Sequence, residues 1–337
     1  MIRILVIRFS SMGDVLLTAP VLRGALEANQ DLHIDLVTKI GFEGYFSGID
    51  RLKIITADTN GKHKGIRGLL RLSREIWKTS RPDKVIDLHG VIRSYILRIL
   101  IANKGVPDYK INKGRREKVA YIKGKKQFIL KHTAERYLEV FRKAGVEAQI
   151  INYPFGNNIK KRLKGKAESL EIGLAPFARH ETKTWPLDYT FEMMSILSTK
   201  LDVKFHFYGG KEDAEKLKHK DFKTLQIMIH AGEMNPEEEI KSISELDLFV
   251  SMDSANMHLA DLLGIPVISI WGGTHPDLGF RPLNQPGTNN IQTLEKLDCQ
   301  PCSIFGNKPC SLVDSPYRCL TSISPEMIAA KIISSLS

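Results

Sequence analysis

Short apolar runs alternate along this chain with longer stretches in which apolar residues recur every three or four positions. Ile2 to Ile7 is apolar except for Arg3, the composition that a parallel strand covered on both faces requires. Val15 to Ala28 then reads as a helix, with Pro20 expected to kink it by removing one backbone hydrogen bond. His33–Thr38 and Lys53–Thr56 read as the next strands. Gly65 to Ser80 places Leu69, Leu72 and Ile76 at helical spacing with Arg67, Arg71, Arg74 and Lys78 among them, an amphipathic helix with a solvated basic face. Lys84–Leu88 is a further strand, and His132 to Ala144 a helix closed by Gly145 at a C-cap position. The pattern then begins again, with strands over Leu170–Pro176, Val203–Tyr208, Leu246–Ser251 and Ile265–Ile270. Its closing helix has Ser324 at the N-cap and Pro325 at the first helical position. Strand and helix alternating twice predict an α/β chain of two domains.

Several strand ends carry polar side chains beside glycine. Ser10-Ser11-Met12-Gly13-Asp14 is a strand-to-helix turn, and in open α/β sheets such turns lie at the carboxyl ends of the strands, where ligands bind. Gly13 allows close backbone approach there, and Asp14 becomes a candidate site residue. The plainer alternative is that Ser10, Ser11 and Asp14 only cap the helix. The strand at Lys84–Leu88 runs into His89-Gly90, with Arg93, Ser94 and Arg98 on the following helix, so His89 and Arg93 are candidates too. In the second half Gly209-Gly210 precede Glu212 at a helix start. Asp253 and Ser254 stand before a helix holding Ala255 and His258, where capping side chains and free N–H groups suit a phosphate or pyrophosphate. Trp271-Gly272-Gly273-Thr274-His275-Pro276 ends the next strand.

At 337 residues and 42% hydrophobic, the chain can bury two cores of ordinary size. It has no apolar run of membrane-spanning length, and Met1 leads straight into a strand rather than a signal peptide, so a cytoplasmic protein is expected. Charge sharpens the picture: of the net +11, residues 1–150 carry +14 and residues 151–337 carry −3. A basic half implies an anionic partner. Lys104 to Lys131 is the most basic stretch and has few aromatic residues, which argues against base-stacking nucleic-acid recognition and for a loop region facing anionic groups. Asn152 to Asn158 is turn-rich and reads as the linker. All four cysteines fall late, as Cys299, Cys302, Cys310 and Cys319, a spacing compatible with a zinc knuckle, reduced thiols or a disulfide.

In joint order these segments resemble the ADP-heptose:lipopolysaccharide heptosyltransferases. The residues that carry the likeness are Ser10–Asp14, Asp87-Leu88-His89-Gly90 with Arg93-Ser94, Lys183-x-Trp185-Pro186, Asp253-Ser254-Ala255 with His258, Gly272–Pro276, and the cysteine segment. The resemblance covers nearly the whole chain and implies two facing Rossmann-like domains, the GT-B architecture, with an interdomain cleft. The domains would span 1–155 for the acceptor and 166–323 for the nucleotide-sugar, and the helix over 324–337 could pack back on the first. By the same resemblance Asp14 is the general base. Lys183, Glu212, Asp253, Ser254, Ala255, His258, Gly273 and Thr274 would hold an ADP-heptose-like donor, with Glu212 a ribose or base contact. Ser11, Gly13, His89, Arg93, Arg115 and Arg116 would meet an anionic lipid-linked glycan acceptor, and peripheral contact with the inner membrane is left open. The chain departs from the family where hydroxyl residues often precede the lysine, since Ala178, Arg179 and His180 stand there. No cofactor is implied, and no Asp-x-Asp pair suggests a metal. The resemblance implies an inverting transfer, and one independent of metal is expected. A nucleotide-sugar epimerase or hydrolase of the same architecture, or a non-catalytic nucleotide-sugar-binding protein, are the alternatives. If Asp14 is the base, its change to Asn should barely change stability while turnover drops roughly 10²–10⁴-fold and donor binding persists.

Overall fold

The computed structural model describes residues 1–124, 128–155, 169–218 and 225–336. Two compact units divide the chain, one of Met1–Arg115 with Lys131–Asn157, the other of Arg116–Leu130 with Asn158–Ser337.

The first unit contains β1 (Ile2–Ile7), α1 (Met12–Leu16), α2 (Ala19–Ala28), β2 (Leu32–Lys39), β3 (Leu52–Ala57), α3 (Gly65–Thr79), β4 (Lys84–Asp87), α4 (Ile92–Ala102) and β5 (Asp108–Lys110). Next comes α5 (Arg115–Ile122), nearly all of it in the second unit, and then α6 (Thr133–Lys143) back in the first. The sheet has the order β3-β2-β1-β4-β5, with every pairing parallel. Ile4, Leu5, Val6 and Ile7 are fully buried, which is why β1 reads as an unbroken apolar run: helices cover it on both faces.

The second unit continues with β6 (Leu170–Ala175), α7 (Leu187–Ser198), β7 (Val203–Phe207), α8 (Lys211–Leu217), β8 (Gln226–Ile229), α9 (Pro236–Ser244) and β9 (Leu248–Met252). It ends with α10 (Ala255–Leu262), β10 (Val267–Ile270), β11 (Asn290–Ile291), α11 (Arg318–Thr321) and α12 (Pro325–Leu336). Its sheet is β11-β10-β9-β6-β7-β8, again parallel throughout. Two parallel α/β sheets are what the strand–helix alternation predicts.

Several expectations are corrected. Pro20 does not kink one long helix. The chain breaks at Leu17–Thr18 and Pro20 sits in the first turn of α2, where its missing N–H has no helical acceptor to lose. The basic stretch 104–131 is not simply a loop, for it forms β5 and α5, and most of it joins the second unit. The hydroxyl of Tyr121 on α5 lies 3.1 Å from His275 Nδ1 and donates to Asp277 at 3.1 Å, and Lys118 lies 3.8 Å from the centre of the Phe280 ring. Domain boundaries drawn at 155 and 166 therefore miss a segment that crosses over. The closing helix α12 packs on α7, and Ile328, Ala329 and Ile332 enter the second unit's own core rather than returning to the first. The linker expected over 152–158 runs from residue 156 outside the described residues.

Candidate active site

Each sheet has one point where the chain order reverses, and several of the side chains singled out from the sequence stand there. In the first unit β1 and β4 are neighbours although β2 and β3 intervene in sequence, so loops leaving them diverge and open a crevice at their carboxyl ends. Asp14 follows β1, and His89 follows β4. In the second unit β6 and β9 form the corresponding pair, with Lys183 after one and Asp253 after the other.

Asp14 is the third residue of α1 and does not cap it. Its carboxylate is ion-paired with Arg8 and accepts a hydrogen bond from Ser11 Oγ at 3.0 Å. Arg8 is almost wholly buried and donates to the carbonyl of Leu88 at 2.7 Å, so it ties the β1 turn to the β4 turn. Burial lowers its pKa, but the charge and hydrogen bond of Asp14 together with Tyr137 and Asp87 outweigh that, and the pKa is raised. Tyr137 of α6 donates to the backbone carbonyl of Asp14 at 3.1 Å, fixing the helix start from the other side. Gly13 is buried within α1.

His89 is placed by Asp87, whose Oδ1 accepts the N–H groups of His89 and Gly90 at 2.8 and 2.9 Å while Oδ2 accepts from Ser94 Oγ at 3.0 Å. The N–H of Phe9 donates to His89 Nδ1 at 3.3 Å. Burial, with the charges of Arg8 and Lys113, pushes the imidazole down to about 3, so it is neutral near pH 7. With Nδ1 accepting, the remaining proton is on Nε2, and His89 offers a donor rather than a base. Lys113, after β5, is drawn down to about 8 by burial and then by Arg8. Arg93 and Arg115 are exposed and close enough to act electrostatically, the first on His89 and the second on Lys113. Arg116 falls in the second unit. Arg8 and Lys113 were missed as site residues; an arginine at a strand end beside a turn carboxylate was the available signal for the first.

In the second unit Lys183 Nζ lies 3.0 Å from Asp253 Oδ2, and Thr274 Oγ1 donates to the same oxygen at 2.9 Å. Three strand ends thus converge on one carboxylate. The loop after β10 is clamped to the Lys183 turn by Gly273 N–H donating to the Thr182 carbonyl at 2.7 Å, and Thr182 Oγ1 donates to the Gly306 carbonyl at 2.6 Å. Neither Asp253 nor Ser254 caps α10, contrary to expectation: Asp253 is engaged by Lys183 and Thr274, and Ser254 Oγ is 3.0 Å from Ser251 Oγ. Ala255 opens α10 and His258 is buried within it. Glu212 is exposed in the first turn of α8, after the next strand over from β6.

The four cysteines are unpaired thiols lining one pocket together with Thr182 and Gly273. Burial raises Cys302 and pushes Cys319 up to about 12. Among the described residues no three His, Cys, Asp or Glu side chains are grouped to hold a metal ion. As placed, the cysteines form neither a disulfide nor a grouped set of metal ligands.

Two parallel Rossmann-like sheets, each with charged side chains at its reversal point, make a GT-B-like α/β fold. The family described as Glycosyltransferase family 9 (heptosyltransferase) matches residues 70–307. Lipopolysaccharide heptosyltransferase 1 of Escherichia coli (strain K12) is 24% identical over 290 residues, covering 82% of this chain and 89% of that protein. The glycosyl transferase family 9 protein of Veillonella parvula superposes with a TM-score of 0.74 at 19% identity, covering 99% of this chain and 96% of the other. E. coli heptosyltransferase WaaC with ADP superposes with a TM-score of 0.72 at 22% identity over the full length of both chains, and a second structure holds it with ADP-2-deoxy-2-fluoro heptose. This chain belongs to glycosyltransferase family 9, the heptosyltransferases, and is an enzyme of that class.

Proposed function

We propose that the protein transfers a heptose from an ADP-sugar to an anionic, lipid-linked inner-core acceptor of lipopolysaccharide or lipooligosaccharide, with inversion and without a metal. The observation that carries this is the Arg8–Asp14 pair at the first unit's reversal point. A carboxylate beside a permanent cation favours its anionic form, the one that can accept a proton. Asp14 takes the proton of the acceptor hydroxyl as its oxygen attacks the anomeric carbon and the bond to the diphosphate breaks on the opposite face. His89, neutral and presenting Nε2–H, donates to an acceptor oxygen, while Lys113, Arg93 and Arg115 offset acceptor charge and Ser11 and Gly13 shape the turn.

On the donor side the departing ADP gains negative charge. Lys183, released from Asp253 by the incoming diphosphate, and the first N–H groups of α10 offset it, which is the work a metal ion does in other transferases. Asp253, Ser254, Ala255, His258, Gly273 and Thr274 position the nucleotide-sugar, and Glu212 reaches the ribose or base. The relatives' names and the ADP and ADP-heptose analogue held by the E. coli enzyme support the choice of donor.

The test is to incubate the protein with ADP-heptose and a heptose-deficient inner-core glycolipid. A mass gain of one heptose on the glycolipid, slowed roughly 10²–10⁴-fold for Asp14→Asn, is expected. Consumption of the nucleotide-sugar at the same rate without acceptor would instead favour the epimerase or hydrolase reading.

A further inference from the structure

Between β11 and α11 the chain runs as irregular backbone, and hydrogen bonds fasten it to the turns that carry Thr274 and Lys183. Gln300 Nε2 donates to the Gly272 carbonyl at 2.9 Å, and the N–H groups of Cys302 and Ser303 donate to the Gly273 carbonyl at 3.1 and 3.3 Å. On the Lys183 turn, Thr182 Oγ1 donates to the Gly306 carbonyl, and the Tyr317 hydroxyl donates to Glu181 Oε2 at 2.6 Å. Both residues that precede Lys183 are thus tied to this one segment.

The segment also meets the lysine side chain itself. Gly306 is buried with φ +76°, and a Cβ there would lie 2.5 Å from Lys183 Cδ and 2.6 Å from Cγ. Glycine supplies both the left-handed backbone and the room for the lysine stem. Tyr317 has φ 58°, a conformation that side chains rarely adopt, and it is held at two points: its N–H donates to Cys310 Sγ at 3.2 Å and its hydroxyl to Glu181. Backbone of this kind persists where the surroundings over-determine it, and it gathers at ligand sites. The hydrogen bond to Glu181, ahead of burial, raises the phenol pKa, so the hydroxyl stays a donor near neutrality.

An ammonium on a loose four-carbon stem samples many rotamers, and ordering it when a ligand arrives weakens binding. Here Nζ meets Asp253 Oδ2 at 3.0 Å while the stem lies against Gly306, so the reach of the ammonium is set beforehand. Tyr317 meanwhile engages a carboxylate two residues before Lys183, a charge that would repel a diphosphate or compete for the ammonium. We propose that Gly306 and Tyr317 are positioning residues of the donor site, acting through Lys183: Gly306 seats its stem and Tyr317 latches Glu181. The inference rests on Lys183 meeting the donor diphosphate, and it extends that reading to a segment far along the chain.

Calorimetric titration of the full chain with ADP, in the parental and Lys183→Ala backgrounds, tests it. In the parental background Gly306→Ala should weaken ADP binding about ten-fold and Tyr317→Phe about three-fold. In the Lys183→Ala background neither change should weaken it further, because the side chain through which they act is gone. A loss that persists without Lys183 marks a merely structural role and overturns the proposal. Parental ADP affinity in both variants, with affinity lost in Lys183→Ala, overturns the proposal alone. If Lys183→Ala itself binds ADP like the parent, the diphosphate reading of Lys183 fails and the proposal falls with it. Tyr317→Phe removes one hydroxyl from a part-exposed ring, so it decides the matter even where Gly306→Ala does not fold.

Discussion

Asp14 cannot be altered in isolation, because Arg8 is buried behind it. From the sequence alone Asp14→Asn should leave stability untouched. The structure revises this, since loss of the charge leaves a buried guanidinium with the Leu88 carbonyl, the Tyr137 ring, the Asp87 charge and a weak amide partner. We expect Asp14→Asn to lower stability by about 1–3 kcal/mol, read by denaturant unfolding, the part-exposed position of Asp14 holding it below the full cost of breaking a buried pair. Turnover should drop roughly 10²–10⁴-fold while ADP binding persists; parental turnover would remove Asp14 as the base. Lys183→Ala should weaken ADP binding by about 1.5–3 kcal/mol in calorimetry, since a charge-assisted contact to the diphosphate is lost. His89 gives a pH signature. Its proton binds near 6.5 when unfolded and about 3 when folded, so between those values the unfolded chain holds the extra proton. Its contribution to stability is complete above 6.5 and is lost as the pH falls toward 3. Thermal melts of the parent and His89→Gln should therefore diverge least under acid, and a constant gap between them down to about pH 4 would contradict the depressed proton affinity.

At the scale of elements, strands were the most legible features. β1, β2, β4, β6, β7, β9 and β10 are apolar enough to be read from the sequence within a residue or two of each end. The weaker β5, β8 and β11 have few buried side chains and take their form from pairing with a neighbour already in place. Helix starts were read less well, because Asp, Ser and Pro serve several local purposes and only neighbours decide which. The loop after β10 is the sharpest case. A Cβ on Gly273 would lie 2.9 Å from Cys302 Sγ and 3.0 Å from Thr182 Cβ, so the glycine is required by the cysteine segment packed behind it. Gly273→Ala should push the Thr274 loop away from Asp253 and cost about 1–3 kcal/mol of stability. A matching loss of ADP affinity is expected; unchanged affinity would separate this loop from the donor site.

Over the whole molecule, the unequal charge of the two halves bears on the acceptor. If the first unit captures an anionic glycan electrostatically, acceptor KM should rise with ionic strength while ADP affinity changes less. An acceptor KM indifferent to salt would assign the basic half another purpose. The two-domain α/β plan and the strand ends worth examining were determined by sequence, because burial on both faces of a parallel sheet imposes an apolar run and a ligand-facing turn favours small and polar residues. Tertiary structure decided which of those residues meet. That Asp14 answers to Arg8 and Leu88, that Lys183, Asp253 and Thr274 share one carboxylate oxygen, and that residues 116–130 join the second unit all depend on strand order and crossover. Apart from the Arg8–Asp14 pair these are contacts between segments far apart in the chain, and periodicity records only which face of an element is buried, never which partner it is buried against.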